Sequence, residues 1–266
     1  MKKLITVIHD YGLCESVNKG IEYVLEHKNN IISDVSLLVN ASASKKAADY
    51  IRKNNLSACL NINLTTFKPL AEKVRSLVDK DGNFKGVDVS TWDFSAIGSF
   101  EEKEIEREIN AQYEWFIKHI GAKPKALLSR KNEFGDPKIL IPVVELAKRE
   151  NLPLRAPVWM WKENYGAQSY VEQSGVKSTK HVFIGLKDWK GRFGYDPARD
   201  LDTLIVDIKE KKGISELLFF AGFVDEELFN ISSVNWQRGQ FIQLIERGYL
   251  TKKIKSNFEL ISYSDL

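Results

Sequence analysis

Short apolar runs alternate along the chain with longer segments whose apolar residues recur every three or four positions. The short runs predict buried strands at 4–8, 36–39, 58–64, 125–128, 154–156 and 216–220, and the longer segments predict helices at 15–27, 44–51, 100–120, 137–149 and 201–212. Strand and helix repeated in this order are typical of a parallel sheet covered by helices. We therefore predict an α/β fold, a TIM-barrel-like (β/α) barrel, that comprises residues 1–266 as one domain.

Composition narrows the possible partners and the location. The formal net charge is only +3, and basic and acidic residues are spread along the chain. A nucleic-acid surface needs clustered charge, so none is expected. No apolar segment approaches the ~20 residues that span a bilayer, and the apolar stretch that ends at His9 is too short for a secretory signal. We expect a cytoplasmic protein without membrane insertion.

Polar residues follow several of the predicted strands. In a barrel of parallel strands, the functional site lies at the C-terminal strand ends. The residues in question are His9, Asp10, Asn61, Asn63, Arg130, Lys131, Asn132, Glu133 and Arg155. A hydrolytic metal site needs about three His or carboxylate ligands, whereas these positions offer one adjacent His and Asp, followed mainly by amides and cations. On their chemistry, these residues predict no metal cofactor.

Several segments, in order and at the usual spacing, resemble one known family. They read DYGLCESVNKGI, SDVSLLVN, LNINLT, SLVDKDGNF, EIEREINAQ, VELAKRENLPLRAP and ELISYSDL. Together they resemble the YdjC-type (ChbG-like) carbohydrate and chitooligosaccharide deacetylases. The resemblance implies a TIM-barrel-like fold of the deacetylase type, a possible homodimer, a saccharide substrate, and hydrolysis of N-acetyl groups with a divalent metal.

The same resemblance shows where this chain departs from the family. His9 and Asp10 stand where the family has two adjacent aspartates, and Asn61 stands where it has a metal-binding histidine. The family's Asp-Ser-His-x-His-x-His stretch corresponds to residues 128–134, and its late His-Pro-Gly corresponds to residues 220–222, with every histidine replaced. The resemblance therefore implies a divergent member that lacks most metal ligands, with a site either rebuilt or abandoned.

Arg130 determines what a rebuilt site would do. Its guanidinium would stand in place of the metal, as a fixed positive charge suited to a carboxylate or a phosphate. We expect Asp10 to pair with Arg130, and His9, near its usual pKa, to act as a base with Asp10 as its orienting or acid partner. Alternatively, an ion pair between Asp10 and Arg130 merely fills the place of the metal.

The predicted saccharide contacts come from polar and aromatic groups near the strand ends. They are Asn61, Asn63, Arg130, Asn132, Arg155, Trp159 and Trp161. Sugar rings pack their C–H faces on tryptophan, although both tryptophans could instead pack onto the barrel as loop residues. The segment 187–197 is either a mobile lid or an interface loop.

Four functions stay open. The first is metal-free action on an amino sugar or anionic saccharide, with His9 and Asp10 as the catalytic pair. The second is an inactive saccharide-binding or regulatory pseudoenzyme. The third, with a divalent metal at Asp10, His9 and Glu133, is the least favoured because Glu133 would have to reorient. The fourth is a purely structural dimer subunit.

Overall fold

A computed structural model describes residues 1–86, 95–159, 162–185 and 197–266, of which 159, 162, 163 and 197–200 are described by their backbone alone. The strands of this part are β1 (Lys2–Tyr11), β2 (Asp34–Leu37), β3 (Ala58–Ile62), β4 (Leu127–Ser129), β5 (Val158–Trp159), β6 (Lys162–Glu163), β7 (His181–Ile184), β8 (Ser215–Phe220) and β9 (Phe258–Ile261). The helices are α1 (Glu15–Glu26), α2 (Ser44–Asn54), α3 (Glu102–Ile120), α4 (Pro137–Glu150), α5 (Tyr165–Gln173), α6 (Pro197–Glu210), α7 (Glu226–Ile231), α8 (Trp236–Glu246) and α9 (Tyr249–Asn257).

Parallel pairing joins most of these strands into one sheet. The order is β4, β3, β2, β1, β8, β7, while β9 pairs with the first half of β1. β5 and β6 form a separate antiparallel pair. Because parallel strands all end at the same edge, the C-terminal ends of β1, β3, β4 and β8 meet at one end of the fold. We call this end the mouth.

Single backbone bridges close the sheet into a barrel. Leu154 pairs in parallel with Leu127 of β4 and with Ser178, and the Lys180 backbone N–H donates to the Ile214 carbonyl at 2.8 Å, next to β8. The strand predicted at 154–156 is reduced to one residue, Leu154, with a bridge on each side, because Pro153 and Pro157 flank it and lack the N–H that a ladder requires. The predicted TIM-barrel-like α/β fold is confirmed.

Alternating side chains divide the barrel interior from its outer layer. An inner cluster comprises Ile5, Val7, Cys59, Ala126, Leu128, Ile261 and Tyr263. Leu4 and Ile8, which flank Ile5 and Val7 on β1, instead join the larger core between sheet and helices. Because successive side chains of a strand point to opposite faces, His9 continues the inner row of β1, and Asn61 continues that of β3.

The C-terminal residues fill the end of the barrel opposite the mouth. The Tyr263 side chain is buried in the inner cluster, and its hydroxyl donates to Glu216. The Asp34 carboxylate accepts from the Ser57 hydroxyl at 2.5 Å, the Ser262 hydroxyl at 3.0 Å and the Tyr263 backbone N–H at 3.3 Å. Protein groups therefore occupy this end.

Amphipathic helices cover the outside of the barrel. The longest in the described residues is α3, with 19 residues, and it ends at Gly121 in the left-handed conformation, where φ is 81°. Glycine adopts this conformation without steric cost, so the predicted helix end is confirmed. No helix among the described segments is long and apolar enough to cross a membrane.

Candidate functional site

Charged and polar side chains from distant parts of the chain meet at the mouth. His9 and Asp10 lie at the end of β1, where Asp10 has a φ of +65° and the register with β2 is irregular. This left-handed residue, which aspartate tolerates better than most, breaks the strand alternation. Two adjacent polar side chains can thus both face the site.

The Asp10 carboxylate is held between two guanidinium groups. Arg238 Nη2 donates to Asp10 Oδ2 at 2.7 Å, and Arg130 Nε lies 3.5 Å from Asp10 Oδ1. Burial alone would raise the pKa of Asp10, but Arg130, His9 and Arg238 hold that pKa well below its ordinary value. The predicted pairing of Asp10 with Arg130 is present, and Asp10 is a permanent anion at neutral pH.

Arg238 is the residue of this cluster that the strand ends did not predict. It comes from α8, and its guanidinium also donates to the carbonyls of Val234 at 2.8 Å and Ala221 at 3.3 Å while stacking 5.2 Å from the Phe220 ring centroid. One signal was available in the sequence. Arg238 shares its helical stripe with Phe241, Ile242 and Ile245, and a cation in a buried stripe needs a buried partner.

His9 is a buried, neutral imidazole. Arg155 Nη1 lies 2.8 Å from His9 Nε2, and because a guanidinium only donates, Nε2 accepts and Nδ1 carries the proton. Nδ1 lies 3.5 Å from Asp10 Oδ1. Burial and the charge of Arg155 lower the pKa of His9, so the expectation that His9 titrates near its usual value is wrong. Its role as a base stays a prediction, and the nitrogen that would take the proton already has a donor.

Arg155 lies beneath the mouth in a buried ion pair. Arg155 Nε donates to Glu216 Oε2 at 2.9 Å, Arg155 Nη2 donates to Glu216 Oε1 at 2.5 Å, and Nη1 also donates to the Ser129 carbonyl at 2.8 Å. The side chain is only 2% exposed. The structure therefore places this predicted saccharide contact under His9, bonded to protein groups.

The predicted asparagines have different environments. Asn61 is fully buried, and within the described segments neither polar atom of its side chain has a hydrogen-bond partner. Asn63 instead fixes a turn, donating to Asn40 Oδ1 at 3.0 Å and the Thr66 carbonyl at 2.8 Å. Asn132 is buried with a φ of +64°, and its Nδ2 also lacks a partner in the described part of the chain. A buried amide without a hydrogen-bond partner lowers the stability of the folded state, so the position of Asn61 calls for a reason other than folding.

Arg130 and Lys131 bring positive charge to the same place. Arg130 Nη1 donates to the Thr66 hydroxyl, and its guanidinium carbon lies 5.6 Å from the Phe67 ring centroid. Its Nε–H is buried and makes no hydrogen bond to the described residues. Burial and the neighbouring Arg130 lower the pKa of Lys131 to about 8.

The side chains of the two tryptophans predicted to contact saccharide lie outside the described part of the structure. Trp161 lies outside the described residues, as does the segment 187–196, and Trp159 belongs to β5 with its backbone alone described. Their contact with saccharide stays a prediction.

The donor set does not fit the divalent metal that the resemblance implies. Within the described ranges, no three His, Cys, Asp or Glu side chains group around a common point. Asp10 faces two guanidiniums, and Glu133 accepts from the Ser129 hydroxyl and from the Lys131 N–H at 2.7 Å. A doubly charged ion at about 4 Å from one guanidinium would meet a repulsion of about 8 kcal/mol at an effective dielectric constant of about 20.

Comparison with known proteins identifies relatives over nearly the whole chain. The sequence model of the family described as "YdjC-like protein" matches residues 3–253. A carbohydrate deacetylase of Clostridium beijerinckii is 23% identical over 99% of this chain and 100% of its own length. A chitooligosaccharide deacetylase of Yersinia enterocolitica is 29% identical over 100% of both chains.

A solved structure shares the fold. The crystal structure of an Enterococcus faecalis protein, described as a candidate cellobiose-phosphate cleavage protein, superposes with a TM-score of 0.82 at 21% identity. It covers 99% of this chain and 98% of its own. At this identity, the likeness supports the barrel fold alone.

Removal of the Asp10 charge is expected to destabilise the protein. Asp10→Asn would leave Arg238 and Arg130 buried without their counter-charge, which costs about 3–5 kcal/mol of unfolding free energy. Urea unfolding at pH 7.5 measures this loss, and Asp49→Asn is the control because Asp49 pairs with lysine and arginine at the surface. An Asp10→Asn variant as stable as Asp49→Asn would contradict the buried pairing.

His9 is expected to make stability depend on pH. Its pKa is lowered in the folded state, so the unfolded chain binds the proton first and the free energy of unfolding falls as pH drops below about 6.5. His9→Gln keeps an acceptor for Arg155 but removes this proton, so its loss of stability between pH 7.5 and 5.5 should be smaller than that of the wild type. The control is His27→Gln. An equal loss of stability between pH 7.5 and 5.5 in wild type and His9→Gln would refute His9 as the source of this pH dependence.

Proposed function

Because the chain belongs to the family of YdjC-like proteins, we propose that it binds a saccharide, either an amino sugar or an anionic sugar, through a site without a resident divalent metal. One observation carries the proposal. The Asp10 carboxylate is bound by Arg238 and faced by Arg130, so guanidiniums supply the positive charge at the mouth. The saccharide class follows from the carbohydrate and chitooligosaccharide deacetylases among its relatives.

The groups with free donors define the proposed binding surface. Arg130 Nε, Asn61 and Asn132 Nδ2 have no hydrogen-bond partner among the described residues, so they are the groups that we assign to the ligand. Sugar hydroxyl, carbonyl and carboxylate oxygens are suitable acceptors for such donors. We give Asp10, His9 and Arg155 a different role from the one predicted, which is to hold the guanidiniums and the imidazole in place.

The geometry supports binding better than deacetylation. Hydrolysis of an N-acetyl group needs an activated water and a base in reach of it. His9 Nε2 accepts from Arg155, and its pKa is lowered by burial. The pKa of Asp10 lies well below its ordinary value because of its cationic neighbours, which makes it a weak base. We therefore propose a saccharide-binding member of the family that has no metal-dependent turnover, in which the pair of His9 and Asp10 is structural.

One observation favours a second function, metal-independent turnover. The pKa of Lys131 is lowered to about 8 by burial and by Arg130, so part of this amine is neutral near pH 7.5. A neutral amine close to a cationic, ligand-facing arginine is able to take a proton from water. This enzyme would act in the presence of chelator and would lose activity in Lys131→Met.

Calorimetric titration with a panel of amino-sugar and uronic-acid oligosaccharides tests the proposal. We expect binding that is unchanged by EDTA, at least a tenfold weaker affinity in Arg130→Gln, and no release of acetate from N-acetylated members of the panel. Arg52→Gln is the control because Arg52 pairs with Asp49 at the surface. Acetate release that EDTA abolishes would contradict the proposal, whereas EDTA-resistant release that Lys131→Met abolishes would establish the second function.

A further inference from the structure

The charged groups at the mouth and directly beneath it do not balance. Three guanidiniums and one ammonium, from Arg130, Arg155, Arg238 and Lys131, face three carboxylates, from Asp10, Glu133 and Glu216. Glu133 accepts from the Ser129 hydroxyl and the Lys131 backbone N–H, and Glu216 accepts from Arg155 and from the Tyr263 hydroxyl. Among the described groups joined by these contacts, one unit of positive charge is therefore in excess when Lys131 is protonated.

The excess charge is concentrated at Arg130. Arg238 is directed at Asp10 Oδ2, and Arg155 is held by both oxygens of Glu216, so each of these guanidiniums has a bonded counter-charge. Arg130 lies 3.5 Å from Asp10 Oδ1 without a hydrogen bond from its Nε. The Thr66 hydroxyl and the Phe67 ring fix the rest of its guanidinium, so the Nε–H remains as a positioned donor.

Asn61, on the neighbouring strand β3, is a second buried polar residue without a partner among the described residues. Asn61 is 0% exposed, and both polar atoms of its side chain lack a partner in the described part of the chain. The backbone N–H of Arg130 donates to the Ile62 carbonyl at 3.1 Å, so Asn61 and Arg130 are neighbours across β3 and the end of β4. Both belong to the inward-facing rows, since Asn61 continues the row of Cys59 and Arg130 that of Leu128.

We propose that the Arg130 Nε–H and the Asn61 amide bind the carboxylate of an anionic saccharide, such as a uronic acid. This inference rests on the proposed saccharide binding and specifies its ligand. A carboxylate carries one negative charge, which matches the single excess positive charge. A phosphate monoester carries about −1.5 to −2 at neutral pH and would leave negative charge in excess.

A matched pair of disaccharides tests this assignment. One joins N-acetylglucosamine to glucuronic acid, and the other has glucose in place of glucuronic acid, so the two differ only at the carboxylate. We expect calorimetry to show at least tenfold tighter binding of the glucuronic acid compound by the wild type. In Arg130→Gln the two disaccharides should bind with about equal affinity, whereas the surface control Arg52→Gln should keep the preference of the wild type.

Asn61→Leu provides a readout that a merely structural role would not give. Leucine has a similar size and removes a buried amide without partners, so the melting temperature should stay unchanged or rise by about 2–4 °C while the glucuronic acid compound binds about tenfold more weakly. A structural asparagine would instead lower the melting temperature when replaced.

The outcomes separate this inference from the function on which it rests. Equal affinity of the wild type for both disaccharides would overturn the carboxylate assignment and leave saccharide binding intact. A phosphorylated disaccharide that binds more tightly than the glucuronic acid compound would also overturn it. Binding of none of these compounds would overturn both.

Discussion

The structure of the mouth depends on the need to compensate one buried carboxylate. Asp10 lies where the first strand ends, only 9% of its side chain is exposed, and an ionised group there requires a partner. The partner is a guanidinium from Arg238, 228 residues later in the chain, with Arg130 on the other side. This pairing fixes α8 to the end of β1. It also places two guanidiniums beside the aspartate that the family resemblance includes in its metal motif.

Polar contacts continue from this pair through the barrel. Asp10 lies beside His9, whose Nε2 accepts from Arg155, which pairs with Glu216, which in turn accepts from Tyr263 of the C-terminal residues. Buried charges that are paired in this way are weak evidence for stability, because their desolvation offsets the attraction. Their consequence here is that the side-chain orientations are coupled, since each group contacts the next one along the series.

The fold followed from the sequence because its signals are local. The apolar strand of β1 and the apolar stripe of α3 are visible in short windows, and Gly121 marks a helix end. The strand around Leu154 is shorter than predicted, because the flanking prolines limit its pairing.

The site was harder to predict, because the partners of Asp10 are set by tertiary packing. Arg130 was anticipated from its place after a strand, but Arg238 lies in a helix far along the chain. The lowered pKa of His9 depends on burial and on Arg155, which no local pattern encodes.

Metal stoichiometry tests the central claim most directly. The wild-type protein would be incubated with zinc, magnesium or manganese, dialysed, and analysed by inductively coupled plasma mass spectrometry. If guanidiniums supply the positive charge beside Asp10, each metal should remain well below one ion per chain. One tightly bound ion per chain, absent from Asp10→Asn in its folded form, would contradict the account and restore a metal-dependent site at the mouth.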